Sequence, residues 1–309
     1  MDIDSDIIDI LLGSLLFSVV PDLSPLPDAS RLKVSSEIKE TQVEPSFQNL
    51  FSIRGKTALV TGGSRGIGEM IAAGFVAAGA RVYICSRQAE ACEETASRLS
   101  KRYEGECIPL PADLSSLSDI EDLAGRLADR ESKLDILVNN AGASWGGSIE
   151  DFPERGWDKV MDVNVKGVFF LTQKLLPLIR MAASADDPAR IINIGSIDGL
   201  KSSHFDVFSY GASKAAVHHL TRFLAAHLAG EHINCNAIAP GPYPTKMLGS
   251  GFGGRMDDEV WEKFAKANPS GRVGTPEDIA GLAIFLSSRA GAYVIGEVIA
   301  SDGGIVGTR

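Results

Sequence analysis

From residue 56 onward, short runs of apolar and β-branched residues alternate with longer stretches in which apolar positions recur every three or four residues. The short runs have the length and composition of strands buried on both faces, and the longer stretches have the period of helices. Strands are expected at 56–61, 81–86, 106–110, 135–139, 190–194 and 233–239, with a last one near Val298. Helices fill the intervals, the longest at 154–181 and 209–230. This alternation predicts an α/β fold, a single Rossmann-type doubly wound parallel sheet with helices on both faces.

Residues 1–50 break the pattern. The apolar stretch at 7–20 is too short to span a bilayer as an ordinary helix, and its flank is acidic where a secretory signal is basic. Residues 21–45 carry prolines, serines and charges without a sustained apolar period, as linkers do. The expected organisation is a flexible extension over 1–50 and one domain over 51–309.

Composition narrows the function classes. The chain has 309 residues, 44% of them hydrophobic, enough for a full core. Its net charge is −10, six units of it within residues 1–50, and no stripe of Lys and Arg exists to neutralise phosphates, which excludes a nucleic-acid surface. The four cysteines are scattered without a Cys-x-x-Cys pair, which fits a reducing, cytoplasmic setting.

The first strand runs into Thr61-Gly62-Gly63-Ser64-Arg65-Gly66-Ile67-Gly68 and then an Ala-rich helix. Glycines permit a tight turn and close backbone approach, while the N–H groups and dipole at a helix start attract a pyrophosphate. An NAD site needs an acid about twenty residues on for the ribose 2′-hydroxyl. The second strand ends instead at Cys85-Ser86-Arg87. Arg87 and Arg65 suit a 2′-phosphate, with Ser86 adding a hydrogen bond, so NADP is the expected cofactor.

Tyr210-Gly-Ala-Ser-Lys214 opens a long predicted helix, placing phenol and ammonium one turn apart on one face. Ser196 follows the buried strand Ile191-Ile-Asn-Ile-Gly195. A phenol with an ordinary pKa near ~10 shuttles protons poorly at neutral pH, and a neighbouring ammonium stabilises its anion. The five histidines complete no metal set; His218, His219, His227 and His232 read as surface or interface residues, and His204 as a loop residue near Tyr210.

Taken in order, the glycine turn, Asp113-Leu114, Asn139-Asn140-Ala141-Gly142, Asn164, Ser196, Tyr210-x-x-x-Lys214, Pro240-Gly241 and Asp302-Gly303-Gly304 resemble the short-chain dehydrogenase/reductase family from Phe51 onward. Within it the chain looks most like bacterial 3-oxoacyl reductases of rhamnolipid synthesis and is similar to tropinone reductases. The resemblance implies NADPH-dependent reduction of a ketone. Tyr210 would donate the proton, Ser196 would bond the carbonyl oxygen, Lys214 would hold the nicotinamide ribose and lower the tyrosine pKa, and Asn164 would organise a relay water. It also implies Asp113 and Leu114 beside adenine, Asn140, Ala141 and Gly142 along the cofactor, Pro240 and Gly241 as further cofactor-binding residues, and Thr245 near the carboxamide or phosphates. A homotetramer or homodimer is expected on the same ground, with no membrane or nucleic-acid partner.

The expected substrate is a 3-oxoacyl thioester, or alternatively a polyketide, alkaloid or other secondary-metabolite ketone. Trp145, Phe205, Phe208, Met247, Phe252 and Trp261 could wall an apolar pocket, with Gly249, Gly251, Gly253 and Gly254 giving a mobile lid. The alternative of a different class is a catalytically silent NADP-binding regulator.

Overall fold

The computed structural model describes residues 47–202, 205–247 and 258–308. Seven strands form one parallel sheet: β1 (Thr57–Thr61), β2 (Arg81–Cys85), β3 (Glu106–Pro109), β4 (Ile136–Asn139), β5 (Ala189–Ile194), β6 (Ile233–Pro240) and β7 (Val298–Ser301), in the order β3-β2-β1-β4-β5-β6-β7. The order reverses between β1 and β4. Ligands of doubly wound sheets bind in the crevice beyond the carboxyl ends of the strands at such a point.

One face of the sheet is covered by α1 (Gly66–Ala77), α2 (Ala89–Arg102) and α8 (Pro276–Ser287), the other by α3 (Leu117–Ala128), α5 (Gly167–Ala182) and α6 (Phe208–Leu228). Successive strand residues point to opposite faces, so Ala58 and Val60 enter the core under α1 while Leu59 enters the core under α5. Every residue of β1, β4, β5 and β6 is buried, which explains their near-continuous apolar runs. The remaining helices, α4 (Glu154–Met161) and α7 (Asp258–Ala267), lie in the connections after β4 and β6.

The expected helix at 154–181 is divided. A π turn, Asp162–Lys166, separates α4 from α5 and centres on buried Asn164. The other long helix runs as expected, closing in a 3₁₀ turn at Ala229–Glu231. Buried Arg190, at the amino end of β5, donates to the carbonyls of Pro188, Leu286 and Ser288 and so ties β5 to the end of α8. The expected extension through residue 46, together with His204, Phe252 and the glycines at 249, 251, 253 and 254, lies outside the described residues.

Candidate active site

The phosphate-binding turn is built by collision avoidance. Gly62 and Gly66 have φ of 64° and 59°, a region in which a side chain is strained. A Cβ on Gly68 would lie 2.3 Å from both the Gly62 oxygen and Asn140 Nδ2, so the turn tolerates no side chain there. Thr61 Oγ1 accepts the N–H groups of Asn140 and Ala141, each at 2.9 Å, and Asn140 Nδ2 donates to the Thr61 carbonyl at 2.8 Å. The segment after β4 is thereby bolted to the turn after β1. Thr95 on α2, which sequence reading passed over, donates to the Ser64 carbonyl at 3.1 Å. Arg65, the residue before α1, offers no side-chain acceptor to the first helical turn, leaving the helix start to face a phosphate. Ile67 packs on the core below, and Thr245 overhangs the turn, its Cγ2 3.3 Å from where a Cβ on Gly66 would sit.

Farther along the crevice, Arg65 and Arg87 are exposed and neither forms an ion pair among the described residues. Ser86, between them and the core, donates to the Gln88 carbonyl at 3.2 Å and meets Cys92 Sγ at 3.2 Å. Asp113 is held by Ser115, whose N–H and hydroxyl both donate to it, at 3.0 and 2.8 Å, while Leu114 is buried in the core under α3 and α5. Two cations at the rim, a turn of crowded glycines and an open helix start together fit a dinucleotide whose ribose carries a phosphate.

Ser196, Tyr210 and Lys214 converge at the other end of the crevice. Ser196 Oγ accepts from the Asp198 N–H at 3.2 Å, and the Ser196 hydroxyl is hydrogen-bonded to the Tyr210 phenol. Lys214 Nζ donates to the Ile194 carbonyl at 2.7 Å and lies 5.5 Å from the centre of the Tyr210 ring. Asn164 Oδ1 accepts from Ala143 N at 2.7 Å, and its Nδ2 donates to Ala143 O at 3.0 Å and to Ser213 Oγ at 2.9 Å. Ser213 in turn donates to the Tyr210 carbonyl at 2.7 Å, so the π turn braces both the Gly142-Ala143 segment and the start of α6. Gly142 lies among these groups: a Cβ there would be 3.4 Å from Asn164 Oδ1 and 3.8 Å from Lys214 Nζ. Pro240 ends β6, and the N–H of Gly241 donates to Ser301 O at 3.0 Å, closing the crevice on the β7 side.

Burial sets the electrostatics. Tyr210 is pushed up to about 12, chiefly by desolvation, with the Ser196 bond pulling down and Asp198 adding a smaller upward push. Lys214 is pulled down to about 8 by desolvation. The net shift of the tyrosine in the protein alone is upward, opposite to the lowering expected from Lys214. At pH 7 the phenol keeps its proton and the ammonium is mostly charged.

One expectation is corrected. His218 is not a surface residue: it is 3% exposed, on α6 one turn beyond Lys214, with Nε2 3.4 Å from the Ser196 nitrogen. Four-residue spacing from Lys214 to His218 put both on one helix face, a signal present in the sequence. His219, His227 and His232 are exposed.

Residues 62–306 match the family model described as enoyl-(acyl carrier protein) reductase. The chain is 53% identical, over 82% of its length and 97% of the relative's, to the rhamnolipids biosynthesis 3-oxoacyl-[acyl-carrier-protein] reductase of Pseudomonas aeruginosa. The chain belongs to the short-chain dehydrogenase/reductase family. Among solved members, the Pseudomonas aeruginosa RhlG/NADP active-site complex superposes with a TM-score of 0.79 at 52% identity, covering 84% of this chain and 99% of that one. A gluconate 5-dehydrogenase from Burkholderia cenocepacia, in complex with NADP and tartrate, gives 0.75 at 30% identity, covering 83% and 97%. As a short-chain dehydrogenase/reductase, this chain is an NADP-dependent oxidoreductase acting on C=O and CH–OH groups. Among the described residues no helix is long and apolar enough to cross a membrane.

Proposed function

We propose that this reductase converts a 3-oxoacyl thioester to the 3-hydroxyacyl thioester, with Ser196, Tyr210, Lys214 and Asn164 as its working residues. The observation that carries the chemistry is the convergence of the Ser196 hydroxyl and the Tyr210 phenol, two donors able to meet one carbonyl oxygen. NADPH, when bound, supplies hydride to the carbonyl carbon. Tyr210, protonated at neutral pH, gives its proton to the oxygen as negative charge develops there. Ser196 donates to the same oxygen, its Oγ held in place by the Asp198 N–H. The Lys214 ammonium, 5.5 Å from the centre of the Tyr210 ring, stabilises the phenolate left behind and would bond the ribose hydroxyls of a bound cofactor. Asn164 and Ser213 hold the Tyr210 backbone in register.

The acyl reading draws support from the aromatic residues near Tyr210. Trp145 lies against Gly156 of α4, where a Cβ would stand 2.7 Å from the indole, and Phe152 meets Phe208 edge-on at 5.9 Å. The N–H of Gly147 donates to the Asp206 carbonyl at 3.0 Å, joining the Trp145 loop to the segment before Tyr210. These apolar groups suit an acyl chain, and the 53% identical relative is a 3-oxoacyl reductase. The cytoplasm is the inferred compartment, and lipid or secondary metabolism the inferred setting. Exposed Trp157, Phe169 and Phe223 on α4, α5 and α6 support a homotetramer or homodimer through these helices.

The test is NADPH consumption with 3-oxoacyl thioesters, cyclic ketones and keto sugar acids, wild type beside Tyr210→Phe. Turnover with the thioesters that falls by roughly 10²–10⁴ in the variant, with NADPH fluorescence binding retained, is the expected result. Turnover confined to another arm replaces the substrate reading. NADPH binding without turnover on any arm favours the silent regulator.

A further inference from the structure

We infer that His218 is a positioning residue for Ser196, acting through the serine backbone. The inference deepens the reductase reading and rests on it. Three observations meet at this ring. First, Nε2 lies 3.4 Å from the Ser196 nitrogen, whose N–H donates to it. Second, the chain on either side of Ser196 is moulded to the imidazole: a Cβ on Gly195 would lie 2.0 Å from Nε2, and one on Gly199 2.8 Å from Cε1. At Gly195 the ring excludes a side chain, and at Gly199 the backbone of Lys214 and Ala215, each 2.7 Å away, excludes one together with it. Third, the ring is buried and the Gly199 backbone lies within hydrogen-bonding reach of it.

Because Nε2 accepts from the Ser196 N–H, the bonding pattern assigns the ring proton to Nδ1. A leucine or methionine of similar volume leaves the Ser196 N–H without this acceptor, so the polar ring does what packing alone does not. Burial also pulls the ring down to about 4, against a smaller upward pull from the Gly199 carbonyl, so it stays a neutral acceptor at working pH. Ser196 is thereby fixed on both sides: its N–H by His218, its Oγ by the Asp198 N–H. The 3.4 Å separation is long for an N–H···N bond, and catalytic contacts often tighten only when substrate is bound.

A double-mutant cycle tests this, with kcat read under NADPH and under 4-deuterated NADPH. His218→Leu lowers kcat by about tenfold or more, leaves NADPH affinity within about twofold, and enlarges the isotope effect because the chemical step has slowed. His218→Gln, which brings an amide oxygen near the Nε2 position, recovers most of the loss. In a Ser196→Ala background, His218→Leu costs nothing further. Equal losses in Leu and Gln, an unchanged isotope effect, or additive losses in the double variant overturn the inference. Should His218→Leu fail to fold, His218→Met carries the same cycle. Failure of wild type to turn over, or of Ser196→Ala to slow it, refutes the reductase reading instead.

Discussion

Removing Arg65 and Arg87 should convert an NADPH enzyme into one that hardly distinguishes the two nicotinamide cofactors. Both guanidinium groups are exposed and unpaired among the described residues, so neither substitution leaves a buried carboxylate behind. The loss is then that of the cofactor contact alone. A hydrogen bond to a charged group contributes about 1.5–3 kcal/mol, and exposure at the crevice rim favours the lower end. About 1.4 kcal/mol is tenfold, so each single Arg→Ala variant raises the NADPH KM by roughly tenfold and the double variant by roughly a hundredfold. NADH, which lacks the 2′-phosphate, keeps its KM within about threefold. Steady-state kinetics with both cofactors at two salt concentrations measure this, and the NADPH preference of wild type weakens as salt rises. Equal losses with NADPH and NADH would refute the reasoning, because the arginines would then serve the pyrophosphate or the fold.

Two further outcomes follow from buried charge. Reductive kcat/KM should fall on the alkaline side with an apparent pKa near the value of about 8 held by Lys214, since the amine loses its charge as pH rises through it, whereas Tyr210 at about 12 stays protonated; a profile flat to pH 10 contradicts this. Arg190→Met should cost about 3–5 kcal/mol, because the carbonyls of Pro188, Leu286 and Ser288 lose their donor in a dry site, seen as a Tm lower by roughly 6–20 °C with kcat per folded molecule unchanged.

The sheet was legible because parallel strands buried on both faces must be continuously apolar, and the residues at their carboxyl ends had to share one crevice. Strand order placed Ser196 at the end of β5, whereas its grouping with Tyr210 and Lys214 rested on the family resemblance. The π turn was not legible in the same way. Gly156, Val160, Asn164 and Val168 are all buried and four residues apart, a spacing that drifts by about 40° per step on a 3.6-residue helix. A wider turn absorbs part of that drift, but a polar residue at its centre hid the pattern. Arg190 gave little signal, since apart from Asp187 its partners are carbonyls about a hundred residues away in sequence or beside it in the chain. Thr95 escaped notice for a related reason: its acceptor, the carbonyl of Ser64, is a backbone atom common to every residue type.

The π turn also uncouples two design problems. In an unbroken helix, any change that rotates the substrate-side half rotates the core-side half with it. Here α5 keys Leu171, Leu175 and Ile179 into the sheet, while α4 presents Arg155 and Lys159 to the indole of Trp145. With Asn164 anchored between them, the α4 half can be rewritten without rephasing the half that keeps the protein folded, so the joint that braces Tyr210 is also where this fold can diversify.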